Sequence, residues 1–173
     1  MKPTLTLSQR KRAAIVDAAI DEFKKSGFAA TSMDTIAERA RVSKRTVYNH
    51  FDSKESLFGA ISDSLCSAVI EVMDVDFDPD GSMEGQLYEF AIRQIELCCS
   101  DKFMTMARVT LPERLRNPDL ANPSFDRIRN GETGLAFWME QAVAAKALNV
   151  SDVASASRQF SALLLEFTLW PQL

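Results

Sequence analysis

The chain has 173 residues, 46% hydrophobic and 25% charged, a composition that fits one or two folded domains and excludes a disordered chain. Six Gly and six Pro against 21 Ala and 16 Leu exclude collagen-like and Gly/Pro-rich classes and predict an all-α chain, since Ala and Leu favour helix while Gly and Pro break it. The net charge of −4 hides an asymmetry: residues 1–58 carry eleven Lys/Arg and seven Asp/Glu, residues 59–173 nine and seventeen, so a basic head that can meet a polyanion precedes an acidic body.

In chain order, Met1–Leu7 reads as a loose arm and Ser8 as an N-cap. Ile15, Ala18, Ala19 and Phe23 then fall on one helical face, and Gly27 stops that helix. Thr31 opens a second helix, with Asp34 at capping-box spacing and Ile36, Ala37 and Ala40 inward. Ser43 caps a third helix, Lys44 to about Asn49, with Val47 inward. Asp52–Glu55 starts a fourth, whose stripe of Leu57, Phe58, Ile61, Leu65, Ala68 and Val72 ends near Met73.

Residues 74–85 read as a loop bordering head and body. Further helices are expected over 84–100, over about 102–115 with Pro112 kinking or ending it, over about 123–146 with Gly131 and Gly134 weakening the middle, and over 151–170. The last carries Phe160, Leu163, Leu164 and Phe167 on one face. No signal peptide opens the chain and no apolar run reaches the roughly 20 residues of a membrane span, so a cytoplasmic protein with reduced thiols and no membrane partner is expected.

Two short helices joined by a tight turn inside a basic three-helix unit form a helix-turn-helix pattern. The first helix braces across the DNA backbone and the second presents its N-terminal residues to the major groove. In Ser43–His50, Val47 and then Phe51 anchor the second helix, leaving Lys44, Arg45, Thr46, Tyr48, Asn49 and His50 outside. Lys and Arg can donate to guanine O6 and N7, Thr suits either partner, and Tyr and His suit phosphate.

The stretch Gly27–Phe58, with helix, turn and cap in order, resembles the DNA-binding domain of the TetR (tetracycline-repressor-type) family. The body, through Phe137–Glu140 and Trp170–Pro171, resembles the AefR-like C-terminal class of that family. The resemblance implies a DNA-binding domain over 1–55, a linking helix over 53–73, and a ligand-binding and dimerisation domain over 56–173. It also implies a ligand-responsive regulator, a repressor, that binds a near-palindromic double-stranded operator as a homodimer and leaves it when a small-molecule effector binds. Thr31 and Ser32 match the helix start that meets phosphate, and Ser43 caps the reading helix. Lys44, Arg45 and Thr46 match its base-facing start. Tyr48, Asn49 and His50 continue its outer face, and Lys54 matches the lysine that opens the fourth helix.

Arg41 departs from the family, which has Gly at this turn. If the turn needs positive φ, Arg41 costs about 1 kcal/mol. That keeps open a rival reading, a dimeric small-molecule-binding or interaction module with an impaired head. Family members also continue with a further helix, so the body is expected to be C-terminally incomplete and its dimer weaker or rearranged.

Phe103, Met106, Phe137 and Trp138 are the candidate ligand-pocket residues, beside the plainer reading of a Met and aromatic core. Asp76–Gly81 opens like an EF-hand loop, but Leu87 stands where the bidentate Glu belongs, so a solvated linker is expected and no metal. Cys98-Cys99 point about 100° apart on a helix and read as packing. No catalytic constellation, P-loop or dinucleotide turn is present, so no enzyme and no cofactor are expected.

Overall fold

The computed structural model describes residues 6–120, 122–130 and 133–173. The described residues hold helices and no strand. The helices are α1 (Leu7–Ser26), α2 (Met33–Arg39), α3 (Lys44–Tyr48), α4 (Lys54–Val72), α5 (Met83–Cys98), α6 (Asp101–Arg116), α7 (Pro123–Arg129), α8 (Gly134–Ala144) and α9 (Val153–Thr168), with 3-10 turns at Pro118–Leu120 and Trp170–Gln172. The all-α expectation holds. The chain divides into two compact units, one of Met1–Asp63 with Thr105–Ala121, the other of Ser64–Met104 with Asn122–Leu173.

In the first unit, three caps lie one or two residues from their expected places. Thr6, not Ser8, caps α1, exchanging bonds with Gln9 in a capping box. Ser32, not Thr31, caps α2, and its partner is Thr35 rather than Asp34. Ser53 and Ser56 exchange the corresponding bonds at the start of α4. In each case the cap hydroxyl accepts the orphan backbone N–H three residues on. Ser43 caps α3 as expected, accepting from the Thr46 N–H at 3.1 Å.

The core of this unit is Ile15, Ala19, Phe23, Ile36, Ala37, Val47, Phe51, Leu57, Phe58 and Ile61, all buried. Phe23, Phe28 and Phe58 form a ring trio with centroids 5.2–6.1 Å apart, within the range where edge and tilted contacts add to burial. Val47, the inward residue of the short α3, is fully buried. A five-residue helix cannot stand alone, so that one side chain and the Ser43 cap hold it against the others.

The second unit is built around Trp138. Its ring meets Phe77 at 5.6 Å and Phe90 at 5.4 Å, both edge-on. Met73, Leu135, Met139 and Ala142 complete the cluster, with Leu87, Val153 and Phe160 packed against it. The Trp138 indole N–H donates to Gln86 Oε1 at 3.1 Å. The same amide accepts the Asp78 N–H and donates to the Asp78 carbonyl. The acidic stretch 76–81 is therefore a turn fastened by Gln86, with Asp78 Oδ1 accepting the Asp80 N–H.

One expectation in this unit is corrected. The helix expected over 123–146 is two helices, ending at Arg129 and restarting at Gly134; Gly131 lies outside the described residues. In α6, whose stretch from Thr105 belongs to the first unit, Pro112 lies inside the helix, which runs on to Arg116, so of the two expected effects it does not end it. The expected face of α9 also divides: Phe160 packs against the Trp138 cluster, whereas Leu163 and Phe167 are exposed. No helix of the described residues is long and apolar enough to cross a membrane.

Candidate nucleic-acid interface

The turn between α2 and α3 decides how α3 is presented. Arg41 has φ 54°, the left-handed conformation that the missing glycine would adopt freely. The Arg41 N–H donates to the Glu38 carbonyl and the Val42 N–H to the Ala37 carbonyl, both at 3.1 Å. These are the paired bonds of a Schellman ending, so the turn is fully formed around an arginine. Arg39 adds a tie from α2 to α1, donating to Glu22 at 2.5 Å and to Asp21 at 3.4 Å. Arg12 of α1 lies over the Phe51 ring, 4.9 Å from its centroid.

On this frame, Lys44, Arg45, Tyr48 and Asn49 are exposed, and Thr46 and His50 are half-buried. They share one short helix and the residues just after it. The outward face of α3 thus offers hydrogen-bond donors in a row, as a base- and phosphate-reading helix requires. Ser43 is exposed, its hydroxyl 2.8 Å from that of Thr46.

Three residues have partners that periodicity did not reveal. Lys44 Nζ lies 2.8 Å and 3.0 Å from the two carboxylate oxygens of Asp34, and 6.0 Å from the Tyr48 ring centroid. The Asp34 bond raises the Lys44 pKa above its ordinary value. Lys54 donates to the carbonyls of Phe28 (2.7 Å), Ala29 (3.2 Å) and Thr31 (3.0 Å), and its ammonium lies 4.5 Å from the Phe28 ring centroid. An ammonium has three protons, so these carbonyls occupy all of them. Thr31 is buried, and its hydroxyl lies 2.8 Å from the Gly27 carbonyl and 3.3 Å from that of Glu22. Ser32, beside it, is exposed.

A readable signal existed for the first pair: opposite charges on the opening turns of consecutive capped helices. The Lys54 clasp joins residues 23 to 26 positions apart, and no local pattern encodes it.

The four candidate pocket residues lie on two helices, α6 and α8. Trp138 is fully buried in its aromatic cluster, and Phe137, its neighbour on α8, is 62% exposed. Phe103 and Met106 are both buried, one turn apart on α6. Cys66 and Cys98 are buried thiols and Cys99 an exposed one. Burial pushes the Cys98 thiol pKa up, which disfavours the reactive thiolate.

Comparison with known proteins places these features. Residues 15–61 match the family model of bacterial regulatory proteins of the tetR family, and residues 85–173 that of the AefR-like transcriptional repressor C-terminal domain. The repressor Rv3405c of Mycobacterium tuberculosis is 38% identical over 68 residues, which are 39% of this chain and 36% of that protein. The matched stretch of the uncharacterized Bacillus subtilis regulator YhgD is likewise only 38% of its length. Among solved structures, a TetR family regulator from Pseudomonas syringae pv. tomato is 37% identical, with a TM-score of 0.78 over 96% of this chain and 83% of its own. The flavonoid-responsive regulator FrrA is 32% identical, with a TM-score of 0.70 over 90% and 80%.

Proposed function

Because this chain belongs to the TetR family of transcriptional regulators, we propose that it is a ligand-responsive repressor whose residues 1–55 read DNA and whose residues 56–173 dimerise and bind the effector. The observation that carries the reading is α3: a short helix pinned by Val47 and the Ser43 cap, with Lys44, Arg45, Tyr48 and Asn49 exposed. Lys44 and Arg45 read base edges, Thr46 either base or phosphate, and Tyr48, Asn49 and His50 hold the backbone. Ser32 and the N-terminus of α2 meet phosphate. Thr31 and Lys54 serve the same surface from beneath, by fixing the 27–31 turn. The intact bonds around Arg41 favour this reading over an impaired head.

Two heads on one dimer address half-sites about 34–36 Å apart, so the operator is near-palindromic. Leu163 and Phe167 on α9, Trp170 just beyond and Phe137 on α8 are exposed apolar side chains and supply the dimer face. The effector acts by binding one body conformation better than the other, since equal affinity shifts nothing. FrrA's response to flavonoids makes small aromatic molecules the first effectors to try.

The test is in vitro selection from a random duplex pool, followed by footprinting. A palindromic footprint, weakened by Arg45→Ala at one base position of each half-site, is expected. Failure to enrich any sequence sinks the reading, as does an Arg45→Ala variant with full discrimination.

A further inference from the structure

Lys44 is the first residue of α3 and Asp34 lies in the first turn of α2. The carboxylate meets the ammonium with both oxygens, at 2.8 Å and 3.0 Å. The two side chains keep 60% and 58% of their exposure. The pair therefore lies in solvent, on the surface that the proposed function turns to DNA. As a stabilising contact it is weak, because an exposed ion pair in water contributes little. Its effect on a polyanion is of another kind.

A free Lys44 ammonium at the start of the reading helix would meet any phosphate on any sequence. Such contacts supply sequence-independent affinity, each adding about 0.9 to the salt slope on duplex DNA. Asp34 neutralises that charge within the protein and brings a carboxylate close to the phosphates, where like charges repel. A phosphate must then compete with a bidentate carboxylate for the same protons. A guanine edge, held by the whole docked helix and offering two acceptors side by side, competes on better terms. Specificity is a difference of affinities, and weakening the wrong complex raises it as surely as strengthening the right one.

We infer that Asp34 is a specificity-determining residue of the DNA interface, holding Lys44 away from phosphates on unmatched sequence and yielding it only where bases accept it. This rests on the DNA-reading function proposed above. It gives Asp34 a role beyond capping geometry, since Ser32 and Thr35 already make the capping bonds of α2.

The experiment compares wild type, Asp34→Asn, Lys44→Met and the double variant on two duplexes of about 30 bp, long enough for two half-sites one turn apart. One duplex is the sequence that wild type enriches from a random pool, and the other is its scramble. Expected for Asp34→Asn is a roughly three- to tenfold gain on the scramble, under about twofold on the enriched duplex, and a scramble salt slope steeper by about 0.9. In the Lys44→Met background the same change should give at most a small gain, because no ammonium is left to release; this cycle separates release of Lys44 from mere loss of a negative charge. Equal gains on both duplexes, or an equal gain with and without Lys44, overturn the inference. So does an Asp34→Asn variant that melts lower but binds both duplexes as wild type does, which would make the pair a brace. If wild type enriches nothing and binds neither duplex, the DNA-reading function itself fails, an outcome distinct from all of these.

Discussion

Arg41 and Lys54 do opposite things to the same small domain. Arg41 holds φ 54°, which costs a side-chain-bearing residue about 1–2 kcal/mol relative to ordinary backbone. Glycine escapes that cost but loses more freedom on folding. Arg41→Gly should therefore stabilise the protein by about 0.5–1 kcal/mol, read as a higher urea midpoint with unchanged slope; a lower midpoint would mean that the guanidinium makes a contact worth more than the strain. Lys54 gives its three protons to three carbonyls, and hydrogen bonds to charged groups each contribute about 1.5–3 kcal/mol. Lys54→Met should lower stability by about 2 kcal/mol and leave the salt slope of DNA binding where it is. A slope reduced by about 0.9 with stability unchanged would make Lys54 a phosphate contact instead.

Helices whose ends carry a local chemical signature were legible in the sequence, and those ended by distant packing were not. Ser43 caps α3 because hydroxyl, spacing and inward Val47 all agree. Spacing points to Thr31 instead of Ser32 at the start of α2 because both offer a hydroxyl, and only burial, which turns Thr31 inward onto Gly27 and Glu22, tells them apart. Composition and period read residues 123–146 as one helix, yet Gly134 begins a new one. A close approach from across the fold sets the residue at that start: a Cβ on Gly134 would stand 1.9 Å from the Met73 carbonyl oxygen and 2.9 Å from the Asp74 Cα. Both are backbone atoms and cannot rotate aside, so α8 starts where only glycine fits. Gly134→Ala should destabilise the protein by about 3 kcal/mol and change the near-ultraviolet signal of Trp138, four residues on. A variant that melts within a degree of wild type would refute the close approach. The α3 surface was readable because it needs only outward donors on a short helix. The Lys54 clasp was not, since it depends on which helices meet.

Charge and apolar exposure divide between the chain's two ends in a way that ties DNA affinity to assembly. The basic surplus lies in residues 1–58, whereas α9 exposes Leu163 and Phe167, 64% and 76% accessible, with Trp170 following at 56%. A monomer rarely leaves large apolar side chains together in water, and α9 needs no distant partner to explain its stripe if a second copy covers it. Joining two reading heads makes the second half-site encounter intramolecular, which multiplies affinity by about 10²–10⁴ without any new contact to DNA. Phe167→Lys sets a charge in the middle of that stripe and touches nothing on α3. It should leave the helical fold intact, reduce the light-scattering mass from twice the 19.3 kDa chain to once, make melting independent of concentration, and lower affinity for a two-half-site duplex by about 10²-fold or more. Affinity for a single half-site should not move. A variant that scatters as a dimer and binds the full site like wild type would take the dimer face off α9.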